Sequence, residues 1–243
     1  MAGVFAGHTE KIKSKQMSLT DKQMDLTCRQ MDLTCGQVDF PGGIKNIIFD
    51  FGGVLVDLDK ERCLQSFERL GVDARGFLGQ YVQSGIFSRI ETGKATEREF
   101  FDAVRNMSGR MSLSDGQISS AWNDFLVDVP RERLECLVRL KEKYRLLLLS
   151  NTNVIHWRFS EENFFSKDGH SASYYFEKLF LSFEMGLAKP DTEIFRRAVA
   201  ESGVVPEETL FIDDSADNCS AARSAGVNTF HSVSGGDWMK LFP

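Results

Sequence analysis

Five short runs of apolar residues constrain the fold of this 243-residue chain more than any other feature. They occupy residues 46–51, 145–150, 178–182, 210–213 and 227–233, and they are continuous rather than alternating. A strand that is apolar all round must be covered on both faces, which is the condition of a parallel sheet flanked by helices. The segments between them carry helical patterns. Residues 131–143 place Leu134, Leu137, Val138 and Leu140 on one stripe behind Pro130. Residues 193–202 do the same with Ile194, Phe195, Ala198 and Val199 and stop at Gly203, and residues 216–225 stop at Gly226. Strands alternating with helices over short links predict an α/β fold, a doubly wound parallel sheet of Rossmann-like form.

One interval breaks the rhythm. More than 80 residues separate the first strand from the second, too many for a simple crossover. They read as helices, with capping boxes at Thr96-Glu97-Arg98-Glu99 and Ser114-Asp115-Gly116-Gln117. Phe100, Phe101 and Val104 form one apolar face; Ile118, Trp122, Phe125 and Leu126 form another. The expectation is an inserted helical subdomain over residues 59–128, dividing a core made of 44–58 and 129–243. It departs from the carboxyl end of the first strand, where such sheets place their ligand crevice. An insertion there makes a lid.

Residues 1–43 are a different kind of sequence. Gln16-Met17-Ser18-Leu19-Thr20 recurs every seven residues as Gln23-Met24-Asp25-Leu26-Thr27 and Gln30-Met31-Asp32-Leu33-Thr34, then decays at Gln37. A coiled coil needs apolar positions three and four apart. Here they fall two and five apart, so no seam forms, and the expectation is a disordered tail ending at Pro41-Gly42-Gly43. Its acidic and basic residues balance, so the net charge of −6 belongs to the remainder.

That acidity, without a long Lys/Arg cluster, argues against a nucleic-acid or anionic-membrane partner. The longest apolar run, residues 146–149, is far short of the roughly 20 that span a bilayer. The first lysines follow an apolar stub, the reverse of a secretory signal. Five cysteines at irregular spacing do not form a disulfide framework. A soluble, cytoplasmic protein is the expectation.

Four segments at carboxyl ends of the strands carry chemistry. Asp50 ends the first strand and is followed by Gly52-Gly53, which allow a tight loop. Ser150-Asn151-Thr152-Asn153 ends the second with small hydrogen-bonding groups. Lys189 stands before Pro190-Asp191 and a helix, and Asp213-Asp214 ends the fourth strand. Singly, each has an ordinary reading as a cap, a turn former or a surface lysine. A parallel sheet brings all four to one edge. Three carboxylates in one crevice repel one another, and a hard divalent cation resolves that repulsion. Magnesium beside a lysine and a hydroxyl makes a site for a phosphoryl group.

The order Asp50, Ser150, Lys189, Asp213-Asp214, with a helical insertion after the first, resembles the haloacid dehalogenase superfamily. The resemblance covers residues 44–243. Ser150–Asn153, residues 182–191 and residues 213–218 are most similar to the bacterial branch that includes glucose-1-phosphate phosphatases. It implies a magnesium-dependent phosphatase acting on a small phosphorylated metabolite, a sugar phosphate foremost. Asp50 would be the nucleophile, forming an aspartyl-phosphate. Asp50, the carbonyl of Gly52 and Asp214 would hold Mg2+, with Asp213 behind them. Ser150, the Asn151 backbone and Lys189 would hold the phosphoryl oxygens.

One position departs from the family pattern. Two residues after the nucleophile, phosphatases of this superfamily carry an Asp as general acid and base; here it is Gly52. Loss of such a group is worth about 10²–10⁴-fold. Asp57 and His156 are possible substitutes, each with an ordinary structural role as the alternative. Phe87, Arg89, Trp122 and Asn123 are candidate substrate contacts from the insertion, although aromatic residues at helical spacing also serve as core. Two rivals stand beside the phosphatase: a carbon–halogen hydrolase, which needs no acid for its leaving group, and a non-catalytic binder of phosphorylated ligands.

Overall fold

The computed structural model describes residues 43–79, 83–233 and 235–242. The heptapeptide repeat and the disorder expected around it lie outside the described residues. Five parallel strands, β1 (Asn46–Phe49), β2 (Arg145–Ser150), β3 (Lys178–Leu181), β4 (Thr209–Asp213) and β5 (Asn228–His231), form one sheet in the order β3-β2-β1-β4-β5. β1 is central, with Phe49 in register with Leu148 of β2 and Ile212 of β4. The fold is the expected α/β one.

Why the strands are continuously apolar is visible in their two faces. Ile47, Phe49, Leu146, Leu148, Leu210 and Ile212 pack into one hydrophobic core; Ile48, Leu147, Leu149 and Phe211 pack into another on the opposite side. Successive strand residues point to opposite faces, and both faces are covered. The longer helices are α1 (Lys60–Arg69), α2 (Gly85–Glu91), α3 (Glu97–Ser108), α4 (Asp115–Asn123), α5 (Arg131–Leu140), α6 (Val154–Asn163), α7 (Thr192–Ser202) and α8 (Ala216–Ser224). Ile194, Phe195 and Ala198 of α7 and Ala222 of α8 cover the second face; Leu134 and Leu137 of α5 and Ile155 of α6 belong to the first.

Helices α1 to α4 all lie between β1 and α5, and both expected capping boxes form, Thr96 with Glu99 and Ser114 with Gln117. Their connections to the sheet run side by side: Leu58 bridges Leu126, and Asp57 exchanges backbone hydrogen bonds with Val127 and Asp128. Phe67, Phe87, Phe100 and Trp122 form the aromatic interior of this layer, with ring centroids 5.1–6.0 Å apart. Phe87 and Trp122 are fully buried there, so they are packing residues and not the substrate contacts they were candidates for. Arg89 is exposed, near Glu99.

The sheet differs from expectation at its ends. β1 stops at Phe49 because the chain turns at once: Leu55 and Val56 both donate backbone N–H groups to the Phe51 carbonyl, and Gly53 N–H bonds Val56. A short 3₁₀ segment, Asp237–Leu241, seals this turn from the outside. Within it, Trp238 meets the Phe49 ring edge-on at 4.9 Å and donates its indole N–H to the Val54 carbonyl at 3.2 Å. Nothing in its sequence neighbourhood announced that contact.

Candidate active site

Asp50 is the first residue beyond β1, and its backbone N–H still bonds Ile212, so its side chain is delivered at the carboxyl edge of the central strand. The carboxyl is buried. One oxygen, Oδ1, accepts from the Phe51 backbone N–H at 2.7 Å and lies 2.7 Å from the Lys189 ammonium. The same ammonium lies 2.7 Å from Oδ2 of Asp213. Lys189 is 3% exposed, so it is an interior charge and not the surface lysine of its ordinary reading.

Asp213 is fully buried, and it accepts from the Ser215 backbone N–H at 2.8 Å and from the Asn218 amide at 3.0 and 3.1 Å. With Lys189 added, both of its oxygens are occupied by protein. Asp214 is different. It is half-buried and faces the loop after β1, where Gly53 has a positive φ of 75°. A Cβ at Gly53 would come within 2.2 Å of the Asp214 carboxylate, so only glycine lets this loop and this acid share the space. Asp50, Asp213 and Asp214 bring one carboxylate oxygen each within 4.8 Å of one another.

The electrostatics follow from that crowding. Burial pushes the Asp50 carboxyl well above its ordinary range, and Asp213 and Asp214 add to the rise while Lys189 opposes it. Asp214 is raised to about 6 by burial and by Asp213. For Lys189, burial works downward, but Asp213 and Asp50 outweigh it and its pKa rises. Three acids against one ammonium leave room for a cation.

Ser150 closes β2 and is buried. Asn151 turns its side chain away from the crevice, donating to the Lys189 carbonyl and accepting from the Lys189 N–H, both at 2.8 Å. That clamp sets the lysine's backbone and leaves the Asn151 main chain at the cavity. Neither residue caps α6, since Asn153 does so through its side-chain oxygen. A cavity of about 80 Å³ joins these groups, lined by Asp50, Gly52, Ser150, Asn151, Lys189 and Asp214 on the sheet side. From the inserted helices and their connections it receives Leu58, Gln83, Glu91, Phe125 and Leu126.

Both substitutes considered for the missing acid are otherwise engaged. Asp57 pairs with buried Arg133 at 2.8 Å, and Arg133 also bonds the Leu55 carbonyl at 2.9 Å, so this pair braces the connection to the helices. His156 touches the cavity, but it stacks on Trp122 at 4.3 Å and its Nε2 donates to the Trp122 carbonyl at 3.0 Å. Burial lowers its pKa to about 4. Asn123 does not line the cavity. Asn218, Gln83 and Glu91 are what the sequence pattern left out. The first sits inside a recognisable segment; Gln83 pairs with Leu78 ahead of α2, and Glu91 ends that helix.

With that geometry in place, residues 44–226 match the family of haloacid dehalogenase-like hydrolases. The chain belongs to this family. It is 40% identical over 198 residues to a D-ribitol-5-phosphate phosphatase of Bacteroides thetaiotaomicron, covering 80% of this chain and 95% of the relative. A crystal structure of a HAD family enzyme from the same organism, in complex with magnesium and inorganic phosphate, superposes with a TM-score of 0.77 at 45% identity. That match covers 83% of this chain and all of the other. A HAD-like hydrolase from Porphyromonas gingivalis aligns with a TM-score of 0.75 at 34% identity over 81% of this chain and 94% of its own. L-2-haloacid dehalogenase RSc1362, at 18% identity and a TM-score of 0.51, shares the fold alone. No helix among the described residues is long and apolar enough to cross a membrane.

Proposed function

We propose that this chain is a magnesium-dependent phosphomonoester hydrolase whose substrate is a small alditol phosphate of the D-ribitol 5-phosphate class. The observation that carries the reading is the buried Lys189 ammonium, 2.7 Å from both Asp50 and Asp213 with Asp214 alongside. A halide-releasing site has no use for the third carboxylate. A mere binding site has no use for a buried nucleophile with one oxygen held by Lys189 and the Phe51 N–H.

The donor set fits magnesium. It is all oxygen, and its negative charge exceeds what Lys189 neutralises. Asp50, the Gly52 carbonyl and Asp214 would hold the ion, and Asp213, saturated by Lys189, Ser215 and Asn218, would support them from behind. Bound there, magnesium supplies a Lewis acid that draws charge from the phosphoryl oxygens. Asp50 attacks phosphorus and becomes the aspartyl-phosphate, which water then hydrolyses. Ser150, the Asn151 backbone and Lys189 orient the phosphoryl group, and Lys189 holds Asp50 in place for the attack. The helices α1–α4, with residues 59–128 as their extent, act as a cap that excludes water from this chemistry.

The substrate class draws support from the curated relative and from Gln83. This residue lines the cavity, is nine-tenths buried, and its Oε1 has no hydrogen-bond partner among the described residues. An unsatisfied buried acceptor costs about 1–3 kcal/mol, which a substrate hydroxyl would recover. Phosphate release from D-ribitol 5-phosphate, with magnesium and with chelator, tests the reading, with glucose 1-phosphate as the comparison. Turnover that needs magnesium and vanishes in Asp50→Asn is the expected result. Metal-independent halide release, or no turnover of any phosphate ester, overturns it.

A further inference from the structure

The phosphatase reading leaves a proton unaccounted for. The alcohol of an alditol phosphate departs as a primary alkoxide, a poor leaving group that needs an acid, and Gly52 has no side chain to provide one. Of the titratable groups around the cavity, Asp50, Lys189 and Asp214 are committed to attack, orientation and metal. His156 spends its Nε2–H on the Trp122 carbonyl and resists a second proton until about pH 4. Glu91 remains.

Glu91 is the last residue of α2 and lines the same cavity as Asp50, Ser150 and Asp214. Its position is set by direct contact between the cap and the sheet. The Ser182 hydroxyl, just past β3, lies 2.6 Å from the Glu91 carbonyl and 2.9 Å from the Thr152 carbonyl, and accepts from the Thr152 N–H at 2.9 Å. Thr152 belongs to the segment that carries Ser150. Two residues beyond Glu91, Gly93 has φ 65°, and a Cβ there would fall 2.2 Å from the Phe183 carbonyl. The turn Glu91–Gly93 therefore rests on the segment just past β3, through the Ser182 hydroxyl at Glu91 and backbone to backbone at Gly93.

We infer that Glu91 is the general acid and base of this enzyme, supplied by the cap in place of the residue missing at Gly52. When Asp50 bonds to phosphorus and the phosphorus–oxygen bond to the alditol breaks, the Glu91 carboxyl gives its proton to the departing oxygen. In the second half, a water attacks the aspartyl-phosphate and passes its proton to the Glu91 carboxylate. The bond to Asp50 breaks, inorganic phosphate leaves, and both residues return to their starting states. The local chemistry suits this cycle. No described residue pairs with the Glu91 carboxyl, and burial alone raises its pKa to about 8, so it holds a proton at neutral pH and can release it. The acid is in place only when the cap lies on the sheet, which ties proton transfer to closure.

The inference rests on the phosphatase reading, and its test separates the two. Phenyl phosphate and p-nitrophenyl phosphate are close in size and carry no alditol hydroxyls, but phenoxide is the poorer leaving group. In Glu91→Gln, kcat/KM for phenyl phosphate is expected to fall about 10²-fold and that for p-nitrophenyl phosphate by less than about 5-fold. Since hydrolysis of the aspartyl-phosphate also loses its base, p-nitrophenolate should appear in a burst equal to the enzyme present, followed by a slow steady state. A Glu91→Gln variant that melts like the wild type and loses the same factor on both esters, or loses nothing on either, overturns the inference. A wild-type enzyme inert toward every ester instead overturns the phosphatase reading itself.

Discussion

The sheet edge and the cap hold their functional groups in opposite ways. At the sheet edge, Asp50, Lys189, Asp213 and Asn218 are locked into one network of buried hydrogen bonds and ion pairs. On the cap, Gln83 and Glu91 line the cavity, and among the described residues neither the Gln83 Oε1 nor the Glu91 carboxyl has a partner. A saturated network is rigid and fixes geometry; an unsaturated pair is available to a ligand. The sheet side is thus built to hold reacting atoms still, and the cap side to meet whatever is attached to them.

The largest expected effect lies on the sheet. Asp50→Asn should remove about 10⁴-fold or more of kcat, because no other group forms the covalent intermediate; residual turnover within tenfold of wild type would mean that another residue is the nucleophile. Gly53→Ala should cost about 10²-fold in kcat/KM, as the added methyl pushes Asp214 aside. Magnesium titration of activity should then show a higher half-saturation, and an unchanged magnesium dependence would remove Asp214 from the metal site.

A third test addresses the seam between the two regions. His156 has a folded pKa of about 4, below its ordinary 6.5, so the neutral ring is favoured by the fold. The associated stability is complete above about pH 6.5 and is lost as pH falls toward 4, up to about 3 kcal/mol. In denaturant melts, the advantage of wild type over His156→Gln should shrink across that window; a constant difference would show that the ring is not the titrating group. The smallest effect belongs to the cap. Gln83→Ala should raise KM for D-ribitol 5-phosphate about tenfold, the worth of one hydrogen bond, and leave p-nitrophenyl phosphate unaffected. Equal changes on both substrates would argue against a hydroxyl contact.

The same contrast explains what could be read from sequence. Asp50, Ser150, Lys189 and Asp213-Asp214 are legible because polar residues end apolar strands, and a parallel sheet gathers those ends by topology alone. Asp214's dependence on Gly53 is half legible: the glycine pair stands out, but the 2.2 Å approach does not. Glu91 is one acid among 35 in the chain, and only the docking of α2 on Ser182 and Phe183 distinguishes it. Phe87 and Trp122 sit at helical spacing that suits a ligand platform and an interior equally, and packing decided for the interior. The strands end earlier than expected at β1 and β5, because the chain turns after Asp50 and leaves the sheet after Ser232, with Val233 exposed.

The seal formed by Trp238 bears on when this enzyme acquires its reactive group during synthesis. Phe49 pairs with residues in β2 and β4, and its ring closes against Trp238. Asp50 thus emerges from the ribosome ahead of nearly every residue that shapes it. A nascent chain interrupted before Trp238 carries Asp50 and the loop after it without the indole that holds the Val54 carbonyl. The first strand of the sheet is completed only by residues made nearly two hundred positions after it.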